Sequence, residues 1–112
     1  VEVVTGRPFV THAVSRAWLD RHGLAGVELL HVDKYGREPA AASGAPRSLT
    51  PAEFRLRQYD LAIEDAPPAL PLLTSMRGCR VIVFDRPWNR AIPSPPNPDR
   101  CRTWCEVCRL VG

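Results

Sequence analysis

The first half of the chain alternates between short β-branched runs and a helical repeat of apolar residues. VEVVT (1–5) is typical of a buried strand, and the TGRP that overlaps its end predicts a turn. From Pro8 to His22 apolar residues recur at helical spacing, with Gly23 suited to the stop. VELLHV (27–32) predicts a second strand. The apolar positions of the predicted helix are Val10, Ala13, Val14, Ala17 and Trp18.

The second half continues the alternation of strands and helices. Strands that alternate with helices predict right-handed crossovers, and therefore an α/β domain with a parallel sheet and helices on both faces. We expect residues 1–112 to form a single such domain. The remaining predicted elements are a short helix opened by a capping box at 50–53, strands at 60–65 and 80–85, a helix within 67–76, a Pro-rich loop at 92–99 and an amphipathic helix near 103–111.

Length and composition limit the classes of protein to which the chain can belong. A chain of 112 residues can bury one small core, and no apolar run is long enough to cross a membrane. No leader pattern opens the chain, and four cysteines beside an apolar core favour reduced thiols, so we expect a cytoplasmic protein. The net charge of +3 is mild and scattered, which argues against a dedicated nucleic-acid surface. Of the 15 basic residues only Lys34 is a lysine, which makes it a candidate for chemistry.

Polar residues follow the predicted strands at the edge where a parallel sheet binds ligands. A hydroxyl and backbone N–H groups at a helix start bind oxygens, an ammonium neutralises charge, and carboxylates hold Mg²⁺. These types together suit a phosphate held against a divalent cation. The residues at the strand ends are Thr5, Gly6 and Arg7, then Asp33 and Lys34, then Glu64 and Asp65, and finally Asp85.

Each of these residues also has a purely structural interpretation. Thr5 could cap the helix that follows it. Lys34 could be a solvated loop residue, and Glu64 with Asp65 could begin the next helix, where carboxylates favour the dipole. The functional interpretation therefore depends on all three positions following successive strands.

The same positions resemble the haloacid dehalogenase (HAD) superfamily of phosphohydrolases. VVTGRP followed by SRAWLDRHGL resembles that family's second motif, HVDK its third and LAIEDAP its fourth. VFDRPWNR and RTWCEV are similar to the closing segment of bacterial 5′-nucleotidase-like members. The resemblance covers nearly the whole chain, with the motifs in the family's order.

The resemblance implies a three-layer, Rossmann-like fold and a two-step, Mg²⁺-dependent transfer of a phosphoryl group from a small phosphorylated substrate such as a nucleotide. It implies that Thr5 binds the phosphoryl group, with Gly6 and Arg7 beside it, and that Lys34 steadies phosphate and nucleophile. It also implies that Asp65, and less directly Glu64, holds Mg²⁺.

One departure from the family is large. Its first motif, Asp-x-Asp after an apolar strand, supplies the nucleophile, and no Asp-x-Asp occurs in this sequence. In the family that strand lies between the strands matched here by 1–5 and 60–65, so the sheet would be incomplete. We expect an inactive isolated chain, with self-association favoured by unpaired strands. Truncation, a degenerate non-catalytic phosphate-binding or scaffold domain, and a partner chain that supplies the strand are the three explanations.

The cysteines of CRTWCEVC (101–108) allow other functions. The spacing matches a radical SAM cluster loop, but too little chain follows to build the pocket for SAM. A zinc site could use Cys101, Cys105 and Cys108 with Cys79, and a redox role for Cys105 and Cys108 is a further alternative. We favour packing of Cys105 and Cys108 against the sheet, on one helical stripe with Trp104 and Val111. His12 and His22 lie ten residues apart on the predicted helix and His31 ends a strand, so the three histidines predict no ligand cluster.

Overall fold

The computed structural model describes residues 1–40, 42–92 and 98–112. They form two compact units, Val1–Phe54 (unit 1) and Arg55–Gly112 (unit 2), which are described here one at a time. Each unit mixes helices with a small sheet whose strand pairs are all parallel. The prediction of an α/β chain with parallel strands is therefore confirmed, while that of a single three-layer domain stays a prediction.

Unit 1 contains a two-stranded sheet. Strand β1 (Glu2–Thr5) pairs with β2 (Glu28–His31), and a short 3-10 turn leads into helix α1 (His12–Arg21) between them. Leu49 then lies beside the end of β2, where its N–H donates to the His31 carbonyl at 2.9 Å.

Helix α2 (Pro51–Arg55) begins at the predicted capping box. The Thr50 hydroxyl accepts from the Glu53 N–H at 3.1 Å, and the Glu53 carboxylate accepts from the Thr50 N–H at 3.0 Å. Two of the N–H groups that a helix start leaves without partners are satisfied in this way. The capping-box prediction is confirmed.

Helix α1 turns a different face inward than its sequence suggests. All five apolar positions at helical spacing are exposed: Val10 in the preceding turn, and Ala13, Val14, Ala17 and Trp18 in the helix. The buried positions of α1 are Ser15 and Leu19. A helix was correctly predicted in this region, but the α-helix begins at His12 rather than near Pro8, and its apolar stripe is exposed. The opposite face of the helix makes polar contacts with the loop after β1 that are consistent with this orientation.

Unit 2 contains a three-stranded sheet in the order β3 (Leu61–Glu64), β4 (Arg80–Phe84), β5 (Pro98–Cys101). Strand β5 was not predicted, because a Pro/Asp/Arg sequence lacks the β-branched pattern on which strand predictions rest. The predicted loop at 92–99 is therefore wrong at its end, and residues 93–97 lie outside the described part of the chain.

The core of unit 2 is built on the central strand β4. Ile82 and Phe84 on one face pack with Cys101 and Val107, while Val81 and Val83 on the other face are also buried. Burial on both faces is expected for the middle strand of a parallel sheet. Helix α3 (Leu70–Thr74), inside the predicted range, packs on β4.

Helix α4 (Trp104–Val111) packs beside β5 and begins at Thr103, whose hydroxyl accepts from the Glu106 N–H at 3.2 Å. Its buried residue is Val107, whereas Cys105 and Cys108 are both exposed. The prediction that these two thiols pack against the sheet is therefore wrong. The sheet-facing side of α4 is rotated from the stripe that Trp104, Cys108 and Val111 define.

Among the described residues, no helix is both long and apolar enough to cross a membrane.

Candidate functional site

The carboxyl end of β1 brings Thr5, Gly6 and Lys34 together. The Thr5 hydroxyl oxygen accepts a hydrogen bond from the Arg7 N–H at 3.2 Å, which leaves its own proton available to a ligand oxygen. A Cβ atom placed on Gly6 would lie 3.2 Å from the Lys34 Cδ and 3.5 Å from the Tyr35 ring. Glycine at this position therefore allows the lysine stem to lie directly over the backbone. Within unit 1, the two predicted phosphate-binding residues lie at the same edge of the sheet.

Arg7 follows Gly6 and is held by two side chains. Its guanidinium donates to the Ser15 hydroxyl at 3.2 Å, and its carbonyl accepts from the His31 ring Nδ1 at 2.9 Å. Ser15 lies on the buried face of α1, so this contact helps to explain why the polar side of that helix faces inward. A guanidinium carries five N–H donors, so the hydrogen bond to Ser15 is compatible with a substrate role for Arg7.

His12 and His31 form a pair that the sequence did not predict. The His12 Nδ1 and the His31 Nε2 are 3.2 Å apart, and the Phe9 ring contacts both imidazoles at centroid distances of 5.1 and 5.2 Å. Since a carbonyl can only accept, His31 carries its proton on Nδ1 toward Arg7. In the neutral pair, His31 Nε2 then accepts from His12. The pair braces the loop after β1, and no pattern within either segment could have revealed it.

The loop after β2 is braced by Asp33. Its two carboxylate oxygens accept from the Arg37 N–H at 2.9 Å and the Glu38 N–H at 3.2 Å. Asp33 is therefore used to shape the turn that carries Lys34, as Asp side chains commonly do in turns. Glu38 continues the bracing, because its carboxylate accepts from the Ser48 N–H at 3.0 Å.

The carboxyl end of β3 carries the predicted metal ligands, Glu64 and Asp65. One Glu64 carboxylate oxygen accepts from the N–H groups of Asp65 and Ala66, both at 2.9 Å, so it caps its own turn. The Asp65 carbonyl accepts from the Trp88 indole N–H at 3.1 Å and from the Asn89 amide at 2.9 Å. Asp65 is thus held by its backbone, which leaves its half-buried carboxylate for another role.

Asn89 was missed by the sequence analysis and organises this end of unit 2. It is 0 % exposed, and its amide donates to the carbonyls of Asp65 and Phe84, each at 2.9 Å. Its side-chain oxygen accepts from the Arg86 N–H at 3.2 Å and from Arg100 at 2.8 Å. All four hydrogen-bonding positions of the amide are therefore used.

Asp85, at the end of β4, is committed to two arginines. Its carboxylate accepts from Arg90 at 3.1 Å and from Arg100 at 2.8 Å. Burial by itself raises the pKa of Asp85, but the hydrogen bonds from the two guanidinium groups outweigh it and hold that pKa below its ordinary value. This buried carboxylate therefore links β4 to β5 as an ion.

The described side chains fit the requirements of a magnesium site better than those of a structural zinc site. No group of three or more His, Cys, Asp or Glu side chains that could hold a metal occurs within 1–40, 42–92 and 98–112. A structural zinc site needs such a group. Magnesium is commonly bound through one or two carboxylates, together with water and substrate phosphate. The carboxylate of Asp65, with Glu64 beside it, fits that smaller requirement.

Comparisons with protein-family models, with curated proteins and with solved structures found no match to this chain.

Proposed function

We propose that this chain is the carboxyl-terminal part of a Mg²⁺-dependent phosphomonoester hydrolase of the HAD type, with a small phosphorylated substrate such as a nucleotide. The observation that carries the proposal is the order of the strands. The sequence motifs and the residues gathered at the end of β1 support it independently.

The strand order within each of the two sheets is compatible with a HAD sheet that lacks one strand. The family resemblance implies that the absent first strand lies between β1 and β3. In the orders β1-β2 and β3-β4-β5, β1 and β3 each end a sheet and each has one neighbour among the described strands. Both strands pair in parallel with that neighbour, as a parallel strand inserted beside them would require.

The proposed roles follow from the groups at the strand ends. Thr5 donates its hydroxyl proton to a phosphate oxygen, and Lys34 neutralises phosphate charge from its position over Gly6. Asp65, supported by Glu64, would hold Mg²⁺, which when bound supplies positive charge to the phosphoryl oxygens. The attacking carboxylate would come from an Asp-x-Asp segment outside this sequence.

The deciding experiment begins with the codons upstream of Val1. The proposal expects an in-frame apolar strand followed by Asp-x-Asp. The extended protein should then hydrolyse p-nitrophenyl phosphate with Mg²⁺, while the 112-residue chain should not. Lys34→Ala should reduce turnover by about 100-fold or more, as expected for a group that stabilises transition-state charge.

Thr5→Val tests the hydroxyl with little change in volume, and Thr11→Val is its matched control. Thr11 donates its hydroxyl proton to the Pro8 carbonyl in the 3-10 turn and has no proposed chemical role. Turnover by the 112-residue chain that Lys34→Ala abolishes would contradict the requirement for an outside nucleophile. Equal loss in both threonine variants would contradict the role of Thr5.

A non-catalytic phosphate-binding domain is the second candidate, favoured by the absence of Asp-x-Asp from the sequence. It predicts a start codon at or near Val1 with no upstream Asp-x-Asp. It also predicts that inorganic phosphate binds the chain and that Lys34→Ala weakens this binding without any turnover.

A further inference from the structure

The four free cysteines divide into two pairs by exposure. Cys101 is 1 % exposed and Cys79 is half-buried, whereas Cys105 and Cys108 are both exposed on α4. Burial raises the pKa of the Cys101 thiol, and the nearby Glu106 and Asp99 carboxylates raise it further. Burial, together with the charge of Asp60, also raises the pKa of Cys79. Reagents that attack thiolates should therefore reach Cys105 and Cys108 first.

The two exposed thiols are neighbours on one helix. Residues three apart on an α-helix have Cβ atoms about 5–6 Å apart. A disulfide requires about 3.5–4.5 Å, so closing one requires a movement of about 1–2 Å. Cys105 is the second residue of α4, and its N–H is one of those that a helix start leaves without an intrahelical partner. Its backbone can therefore shift without breaking a helical N–H bond of its own.

Helix α4 is anchored on unit 2 by residues that lie next to the two cysteines. Val107 is buried against Ile82 and Phe84, and the Trp104 ring lies 5.0 Å from the Phe84 ring. These contacts keep the helix on unit 2 and hold Cys108 in reach of Cys105. The pair is thus both accessible to solvent and restrained to one short segment.

We propose that Cys105 and Cys108 form a reversible dithiol–disulfide site that low-molecular-weight disulfides such as glutathione disulfide oxidise. One thiol loses its proton to solvent, and its sulfur attacks glutathione disulfide. This forms a mixed disulfide and releases one glutathione thiolate. The second cysteine, also deprotonated, attacks the protein sulfur of the mixed disulfide and releases the second glutathione. The protein loses two electrons and two protons, and glutathione disulfide is reduced to two thiols. The site does not depend on the proposed phosphohydrolase function.

The experiment uses the full reduced chain, incubated with glutathione disulfide, blocked with N-ethylmaleimide and digested with trypsin. Cleavage after Arg102 and Arg109 releases residues 103–109, which contain Cys105 and Cys108 and no other cysteine. The proposal expects this peptide to lose two hydrogen atoms and to carry neither maleimide nor glutathione. Dithiothreitol should restore two maleimide sites.

Single variants separate a closed pair from two independent thiols. Cys105→Ser and Cys108→Ser should each leave a stable glutathione adduct on the remaining cysteine of residues 103–109. Cys79→Ser should behave like the unaltered chain. Both serines stand at exposed positions, so folding should be preserved, and circular dichroism of each variant checks this.

A second readout uses phenylarsine oxide, which binds two adjacent thiols together. One equivalent should remove both fast-reacting thiols of the unaltered chain, and either serine variant should lose this stoichiometric binding. Two glutathiones on one 103–109 peptide, disulfides between chains, or phenylarsine oxide binding that survives in both serine variants would overturn the proposal.

Discussion

The two units differ in what holds their interiors together. Among the residues of unit 1 that the structure describes, the buried apolar ones are Leu19, Val32 and Phe54, and they share the interior with the polar residues Ser15, His31 and Ser48. In unit 2 buried apolar residues line both faces of β4, and the polar network of Asp85 and Asn89 is confined to one end. Unit 2 is therefore stabilised mainly by hydrophobic burial, whereas unit 1 depends more on specific hydrogen bonds.

The polar character of the unit 1 interior is also seen in helix α1. Helix α1 exposes Val14 and Trp18, and the Trp18 ring stacks on His22 with a centroid distance of 4.1 Å. Its inward face instead contributes His12 and Ser15 to the loop after β1. A polar interior beside the candidate phosphate-binding residues suits a site that must hold donors in fixed positions. In unit 2 the candidate residue Asp65 instead follows a strand of a sheet with an apolar core.

The largest expected effect is a cavity in the core of unit 2. Ile82→Ala should lower the free energy of unfolding by about 2–5 kcal/mol, because Ile82 is 0 % exposed and its lost methyl groups cannot be replaced by water. The matched control is Ile63→Ala, at the neighbouring position on β3, where the side chain is 39 % exposed. Urea unfolding followed by amide hydrogen exchange of peptides from 55–112 measures both. Equal destabilisation by the two variants would break the comparison.

The next effect tests the polar interior of unit 1. His31→Ala should cost about 1–3 kcal/mol, because His31 is buried and its loss leaves the Arg7 carbonyl and the His12 ring without this partner. His22→Ala is the control, since His22 is exposed and bonds the Trp18 carbonyl at the end of α1. Hydrogen exchange of peptides from 1–54 should report the loss. If His31→Ala left their protection unchanged, the hydrogen-bonded account of unit 1 would be wrong.

A third prediction concerns the stability of the protein at low pH. Hydrogen bonds from the Arg47 guanidinium and the Thr50 N–H lower the pKa of Glu53 from 4.5 to about 2. Because the folded pKa lies below the unfolded value, this stabilisation is present above pH 4.5 and is lost as the pH falls toward 2. Glu53→Gln should flatten the pH dependence of the urea midpoint in that window. An unchanged slope in the glutamine variant would contradict the assignment.

The smallest expected effect is at the exposed face of α1. Trp18→Ser should change the stability of the chain by about 0.5 kcal/mol or less, because the side chain is 51 % exposed. Leu19→Ala, at a buried position of the same helix, provides the contrast and should cost clearly more than Trp18→Ser. Thermal unfolding of both variants measures the difference. A large loss in Trp18→Ser would mean that the apolar stripe of α1 is covered in solution.

The sequence by itself determined the elements whose signals are local. Strands at β1 to β4, helices α1 and α4 and the capping box of α2 all follow from periodicity and capping over a few residues. The parallel pairing followed from the alternation of strands and helices, which requires crossover connections. The positions of Thr5, Lys34 and Asp65 after successive strands were likewise visible in the sequence, since each lies next to a strand that the pattern identified.

Tertiary structure alone decided which side of each helix is buried and which polar groups meet. The inward face of α1, the exposure of Cys105, the His12–His31 pair and the contacts of Asn89 with Asp65 and Arg100 all depend on residues at least eight positions apart along the chain. Strand β5 belongs to the same group. Its residues have little intrinsic tendency to form a strand, and its extended conformation depends on pairing with β4. Local patterns set what a segment can form, but burial depends on which partners the fold brings against it. Those partners are not encoded within the segment itself.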